Sequence, residues 1–191
     1  MKTTVKKIME SLVPWKAKAL LAKPGVSLNN RNWTKEELQR IAPKYAGRLV
    51  MTDHGELCGQ LVGVNTTAYY GQGSMGEGLY AEAIGLMEPE LFEKIKGLPG
   101  KGIPPLLKGV SMGGQGDLER KGGVDTVTNF EPLEWSFTPF PGIPDAQVLQ
   151  FAEIKESLQQ RQRMIESGSY GPGHVFARVD LDLFKKPSRK R

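Results

Sequence analysis

Two histidines, a single cysteine and a handful of well-placed serines and carboxylates bound the chemistry open to this chain. Acyl transfer from a serine needs a nucleophile at a sharp backbone feature, a base within hydrogen-bond reach, and a third group that orients the base. Histidine takes up a proton near neutral pH without tuning. His174, in Gly-Pro-Gly-His-Val-Phe, reads as a loop residue with no evident partner. His54, in Thr-Asp-His-Gly-Glu, follows a predicted strand, and a strand end held by a sheet is a rigid place for a base. Ser111 closes the run Leu-Leu-Lys-Gly-Val-Ser-Met-Gly-Gly. Its glycine neighbours let a substrate backbone approach, and their N–H groups can line an oxyanion pocket. Glu134 stands between Leu133 and Trp135. A carboxylate in an apolar strand is costly without a partner, and a histidine is a natural one.

Plainer readings stand beside each of these. His54 fits a structural histidine, Ser111 a strand end before a Gly-Gly turn, and Glu134 the solvent face of an alternating strand. Asp125 is an alternative third member, whereas Asp53 adjoins His54 too closely to be the first choice. Cys58, four residues past His54, is an alternative nucleophile, although buried structural cysteine is the commoner role.

The elements that must hold these residues follow from the pattern. Residues 16–23 read as a first strand ending at Pro24-Gly25, behind a loosely held arm over 1–15. Thr34 opens a short helix over 34–41 with a capping box, since Glu37 stands three residues on. A strand over 48–52 delivers Asp53-His54-Gly55. Residues 60–70, rich in Val, Thr and Tyr, and 79–87 form a hairpin about a flexible glycine-rich turn, 71–78. Residues 89–96 form a helix with acidic residues early and lysines late. A strand over 106–112 carries Ser111, residues 115–123 are a polar connection, and 124–140 hold one or two strands broken near Pro132. Val148, Phe151, Ile154, Leu158 and Ile165 recur at spacings of three, four and seven, so 145–167 reads as a long amphipathic helix. The expected fold class is α+β: a mainly antiparallel sheet or barrel with short flanking helices and that long C-terminal helix. The body spans 16–146, and 147–191 form the terminal helix and basic tail.

Composition agrees with one compact domain and appendages. Of 191 residues, 39% are hydrophobic and 25% charged, enough for a core and too polar for an integral membrane protein. No apolar run nears the roughly 20 residues of a spanning helix, and no signal peptide is visible, so a soluble cytoplasmic protein is expected. There is no Cys/His cluster for zinc. Much of the net charge of +5 lies in the tail over 185–191, which is where nucleic acid or an acidic surface would be touched. The remaining body is near neutral and shows no nucleic-acid-reading face.

Several segments, in order over residues 19–146, resemble the phage prohead (capsid maturation) protease family, related in fold to the herpesvirus assemblin proteases. The loop Gly-Val-Ser-Leu-Asn-Asn-Arg-Asn-Trp before a helix is similar to the family's polar loop, and Ala-Gly-Arg-Leu-Val-Met-Thr-Asp-His-Gly to its strand leading to the histidine. Gly-Leu-Tyr opens the return strand of a similar hairpin. Leu-Leu-Lys-Gly-Val-Ser-Met-Gly-Gly resembles the nucleophile strand, and Glu134-Trp-Ser136, followed by a proline turn and Ala146, resembles the Glu-x-Ser-x-x-x-x-Pro segment. The resemblance implies a serine endopeptidase with His54 as base, Ser111 as nucleophile and Glu134 as third member, needing no cofactor or metal. It implies as substrates the scaffolding protein, the N-terminal segment of the major capsid protein and the chain itself. It also implies self-association and work in the host cytoplasm inside the assembling procapsid. Gly114 departs from the aromatic that many relatives carry in a Ser-x-Gly-Phe pattern, and some branches use aspartate as third member, which keeps Asp125 open.

Overall fold

The computed structural model describes residues 11–52, 61–97, 102 and 104–154. The chain divides after Glu153, and the first unit is a mostly β body. Its strands are β1 (Val13–Ala22), β2 (Gly25–Val26), β3 (Arg31–Trp33), β4 (Leu49–Thr52), β5 (Leu61–Gly73), β6 (Gly76–Met87), β7 (Gly109–Lys121), β8 (Val124–Thr138) and β9 (Gln147–Glu153). Two short helices, α1 (Lys35–Ile41) and α2 (Pro89–Lys96), and a 3-10 turn over Ala42–Tyr45 stand beside them among the described residues. The strand order is β2-β3-β8-β4-β5-β6-β1-β9-β7, and β7 pairs back onto β8. Seven strands therefore close into a barrel, while β2 and β3 extend the wall beside β8. Closure removes the unpaired edges that an open sheet presents. All pairings are antiparallel except those of β8 with β3 and β4. No helix among the described residues is long and apolar enough to cross a membrane.

Aromatic side chains from β1, β8 and β9 fill the barrel. Trp15 meets Phe137 edge-on at 5.6 Å between centroids and Phe151 at the same distance, and Trp135 meets Phe137 at 5.1 Å. Trp15 fits because its neighbours in the next strands lack side chains: a Cβ at Gly63 would lie 2.6 Å from the indole. The indole N–H donates to the Val62 carbonyl at 3.2 Å, so this buried donor is satisfied.

Several expectations meet the structure with changes. Helix α1 begins after Thr34, whose hydroxyl accepts from the Glu37 amide at 3.2 Å. Only this half of the capping box forms. The Glu37 carboxylate turns instead to Arg40, at 2.6 and 2.9 Å, and to the Phe130 amide at 2.6 Å, which pins the helix to β8. The glycine-rich stretch 71–78 is mostly strand, with Gly71 opposite Gly78 and a turn of only Ser74-Met75. Tyr80 ties that turn by donating to the Gly76 carbonyl at 2.6 Å. The polar connection expected over 115–123 is also strand, and β7 and β8 meet in a tight turn at Gly122-Gly123, both at positive φ. Pro132 does not break β8. It lies opposite Gly114, where the register shifts, so its missing N–H falls at an irregularity of the ladder.

The largest correction concerns the long C-terminal helix expected from residue 145. Residues 147–153 are strand β9, which pairs with β1 and helps close the barrel; residues 155–167 of that expected helix lie outside the described residues. Val148 and Phe151 both pack in or against the core, although an odd spacing of three puts them on opposite faces of a regular strand. A register shift between the Ala19–Val148 and Lys18–Gln150 pairs inserts one extra residue on β9 and turns both inward. The same spacing imitates a helical stripe. At the other end, β1 takes in Val13, Pro14 and Trp15, which the sequence assigns to the arm.

Candidate active site

Of three neighbouring strands, β4, β8 and β7, the last two carry Glu134 and Ser111. Val50, Trp135 and Met112 form one row across them by register, and Thr52, Phe137 and Val110 another. Val50, Trp135, Phe137 and Val110 are buried in the core. Strand alternation sends the intervening rows to the other face. Those rows are Met51–Ser136–Ser111 and Leu49–Glu134–Gly113. Ser111 and Glu134 thus share one face of adjacent strands, two positions apart diagonally. Such diagonal neighbours stand roughly 7–8 Å apart, within reach of a long side chain.

This outer face is nonetheless closed over Glu134, which is 8% exposed, and over Ser136, which is 0% exposed, while Ser111 is half-buried. The Ser136 hydroxyl donates to Glu134 Oε2 at 2.6 Å. The other carboxylate oxygen lies over the Cα of Gly113, where an added Cβ would collide with it. The 3-10 turn brings Tyr45 to the same place. Burial pushes the Tyr45 phenol well above its usual range, and the Glu134 charge adds to the effect.

Ser111 lies within a continuous strand. The letters Gly-x-Ser-x-Gly stand at 109–113, but no strand-to-helix turn follows, so the local geometry is not that of a nucleophile elbow. The Val110 amide donates to Ala146 O at 3.2 Å, on the β9 side. Ladder alternation then directs the Met112 amide to that side and the Ser111 and Gly113 amides toward β8. The same alternation sends the Gly114 amide to the side of Met112, so the amides of Met112 and Gly114, and not that of Gly113, point away from β8. Beside Met112 is a cavity of about 50 Å³ lined by Ser27, Asn29, Arg31, Ser111, Met112 and Gly142 among others.

The structure brings Ser111 and Glu134 together and keeps Asp125 apart. Asp125 pairs with Arg120 and Arg31 near the far turn of the β7–β8 ribbon, eleven positions along β8 from Ser136. His54, with Asp53 and Cys58, and likewise His174, lie outside the described residues. The last described residue of β4 before them is Thr52, beside Phe137. Among the described residues no three His, Cys, Asp or Glu side chains gather as a metal site. Sequence reasoning passed over Tyr45, named Ser136 only within the Glu-x-Ser segment, and read Gly113 only as a source of backbone N–H groups. The Glu-x-Ser spacing was a usable signal for Ser136, because residues i and i+2 of a strand share a face. Nothing local marked Tyr45. No family model matches the chain, and no curated protein matches it either.

Proposed function

We propose that this chain is a serine endopeptidase of the prohead maturation type, with His54, Ser111 and Glu134 as its triad. The observation that carries the reading is the shared face: Ser111 on β7 stands diagonally from a buried, hydrogen-bonded Glu134 on β8. β4, paired to the other side of β8, ends at Thr52, two residues before His54 in the sequence.

In the reaction, the Ser111 oxygen bonds to a peptide carbonyl carbon as His54 takes its proton. Glu134 orients the imidazole and stabilises its cation. His54 then gives the proton to the leaving amine as the C–N bond breaks. Water hydrolyses the acyl-enzyme, yielding a proton to His54 that returns to Ser111. The Met112 amide is placed to stabilise the oxyanion. Substrates are the scaffolding protein, the N-terminal segment of the major capsid protein and the chain itself, inside the procapsid. The chemistry needs no metal or cofactor.

A second reading is a non-cleaving barrel that binds capsid or scaffold subunits. It draws on Leu28 and Phe140, large apolar side chains 73% and 87% exposed in neighbouring loops. Intact mass after incubation, alone and with capsid protein, separates the two. Trimming by wild type that disappears in Ser111→Ala and in His54→Ala supports the protease. Intact chains throughout, with capsid protein retained in assembled shells, favour the binding role.

A further inference from the structure

The Glu134–Ser136 pair contains more than a triad needs. We propose that Ser136 is a positioning residue that holds the Glu134 carboxylate in a single orientation for its work as third member of the triad. The inference rests on the protease reading above. Ser136 has no exposed surface, and its hydroxyl donates to Oε2 at 2.6 Å, the short distance of a bond to a charged acceptor. Glu134 and Ser136 are both on the outer face of β8, so they form the contact without backbone distortion. A glutamate has three side-chain torsions, and a carboxylate on such an arm is not oriented by its backbone alone. Here two devices restrict it. The Ser136 hydroxyl takes Oε2, and the bare Cα of Gly113 leaves the space that Oε1 enters. The carboxylate is thereby laid over Gly113, two residues along β7 from Ser111, whose direct register partner is Ser136 itself.

A fully buried serine here also differs from filler. Alanine would pack equally well, and a buried hydroxyl requires a partner that an apolar residue does not. The position bears an alcohol because the neighbouring carboxylate needs a donor. Removing that donor leaves Glu134 in place but freer to rotate, so the chemical step suffers and substrate binding does not.

The test is the rate at which a fluorophosphonate modifies Ser111 in the full chain, resolved into the affinity KI and the maximal rate kinact. Wild type, Ser136→Ala and Ser136→Cys are compared; the thiol fills nearly the same space and is a weak donor. Both variants are expected to lose about 10- to 100-fold in kinact, the weight of one hydrogen bond to a charged group, with KI within about twofold and cooperative melting retained. A kinact within about twofold of wild type, or a loss carried by KI, overturns the proposal. Loss of cooperative melting in both variants would make Ser136 a folding residue and also overturn it. No modification of Ser111 in wild type is a separate result: it removes the protease reading, and the proposal with it.

Discussion

One ribbon, β7 paired with β8, has two unlike ends, and each carries a carboxylate suited by type to a triad. At the barrel end Glu134 is buried, receives the Ser136 hydroxyl and lies over Gly113. At the turn end Asp125 is half-buried between the paired strands of Arg31 and Arg120, and forms no ion pair within 4.0 Å among the described residues. Position in the ribbon separates them. A carboxylate acquires a fixed direction where the barrel wall and the 3-10 turn close over it, and keeps its freedom where the ribbon runs out past the barrel.

The sharpest way to break this contrast is to remove each carboxylate in turn. Glu134→Ala is expected to lower Ser111 modification and peptide cleavage by about 10³- to 10⁴-fold, the scale of losing the third triad member. Asp125→Ala should change either by less than about twofold. Equal losses, or a larger one for Asp125→Ala, would reverse the assignment. Gly113→Ala comes next. Its methyl group meets the Glu134 carboxylate, so modification is expected to fall about tenfold or more, and melting temperature with it. Gly122→Ala at the turn strains a backbone held at φ +60° and is expected to cost about 1 kcal/mol in denaturant unfolding with catalysis unchanged.

Between the two ends, Glu37 anchors α1 to β8. The Arg40 guanidinium lowers its pKa below the ordinary 4.5 despite burial, with help from the Phe130 amide. A group whose folded pKa is depressed adds stability above its unfolded pKa and loses it as pH falls through the folded value. Melting temperature should therefore drop as pH is lowered below about 4.5, and the drop should be shallower in Glu37→Gln. That variant should also be less stable at pH 7, by about 1–3 kcal/mol in denaturant titration. The smallest effect is expected at Leu118, 51% exposed on the projecting part of β7. Leu118→Ala should alter stability by no more than about 0.5 kcal/mol.

Local signals were legible where local physics decides. Thr34 announced the start of α1, and the Val/Thr/Tyr run and its glycine turn announced the β5–β6 hairpin. They failed where a distant partner decides. Glu37 abandoned the capping box because Arg40 and the Phe130 amide offered a better set of donors. Residues 147–153 have helical spacing but form β9 because β1 offers a ladder and a bulge corrects the phase. Pro132 remained in β8 because its place in the register is irregular.

The candidate site divides in the same way. Residue types nominated Ser111 and Glu134, with Cys58 and Asp125 as alternatives, and the family resemblance favoured the first two. Their meeting on one face depends on the β7–β8 register, a shift of one residue in which would turn them to opposite faces. The Ser136–Glu134 bond is local, whereas the approach of Gly113 and Tyr45 to Glu134 joins separate segments of the chain. A sequence specifies which groups are present and how each short segment prefers to lie. Only the closed barrel determines which of them are neighbours, because burial and cross-strand pairing are properties of the whole chain.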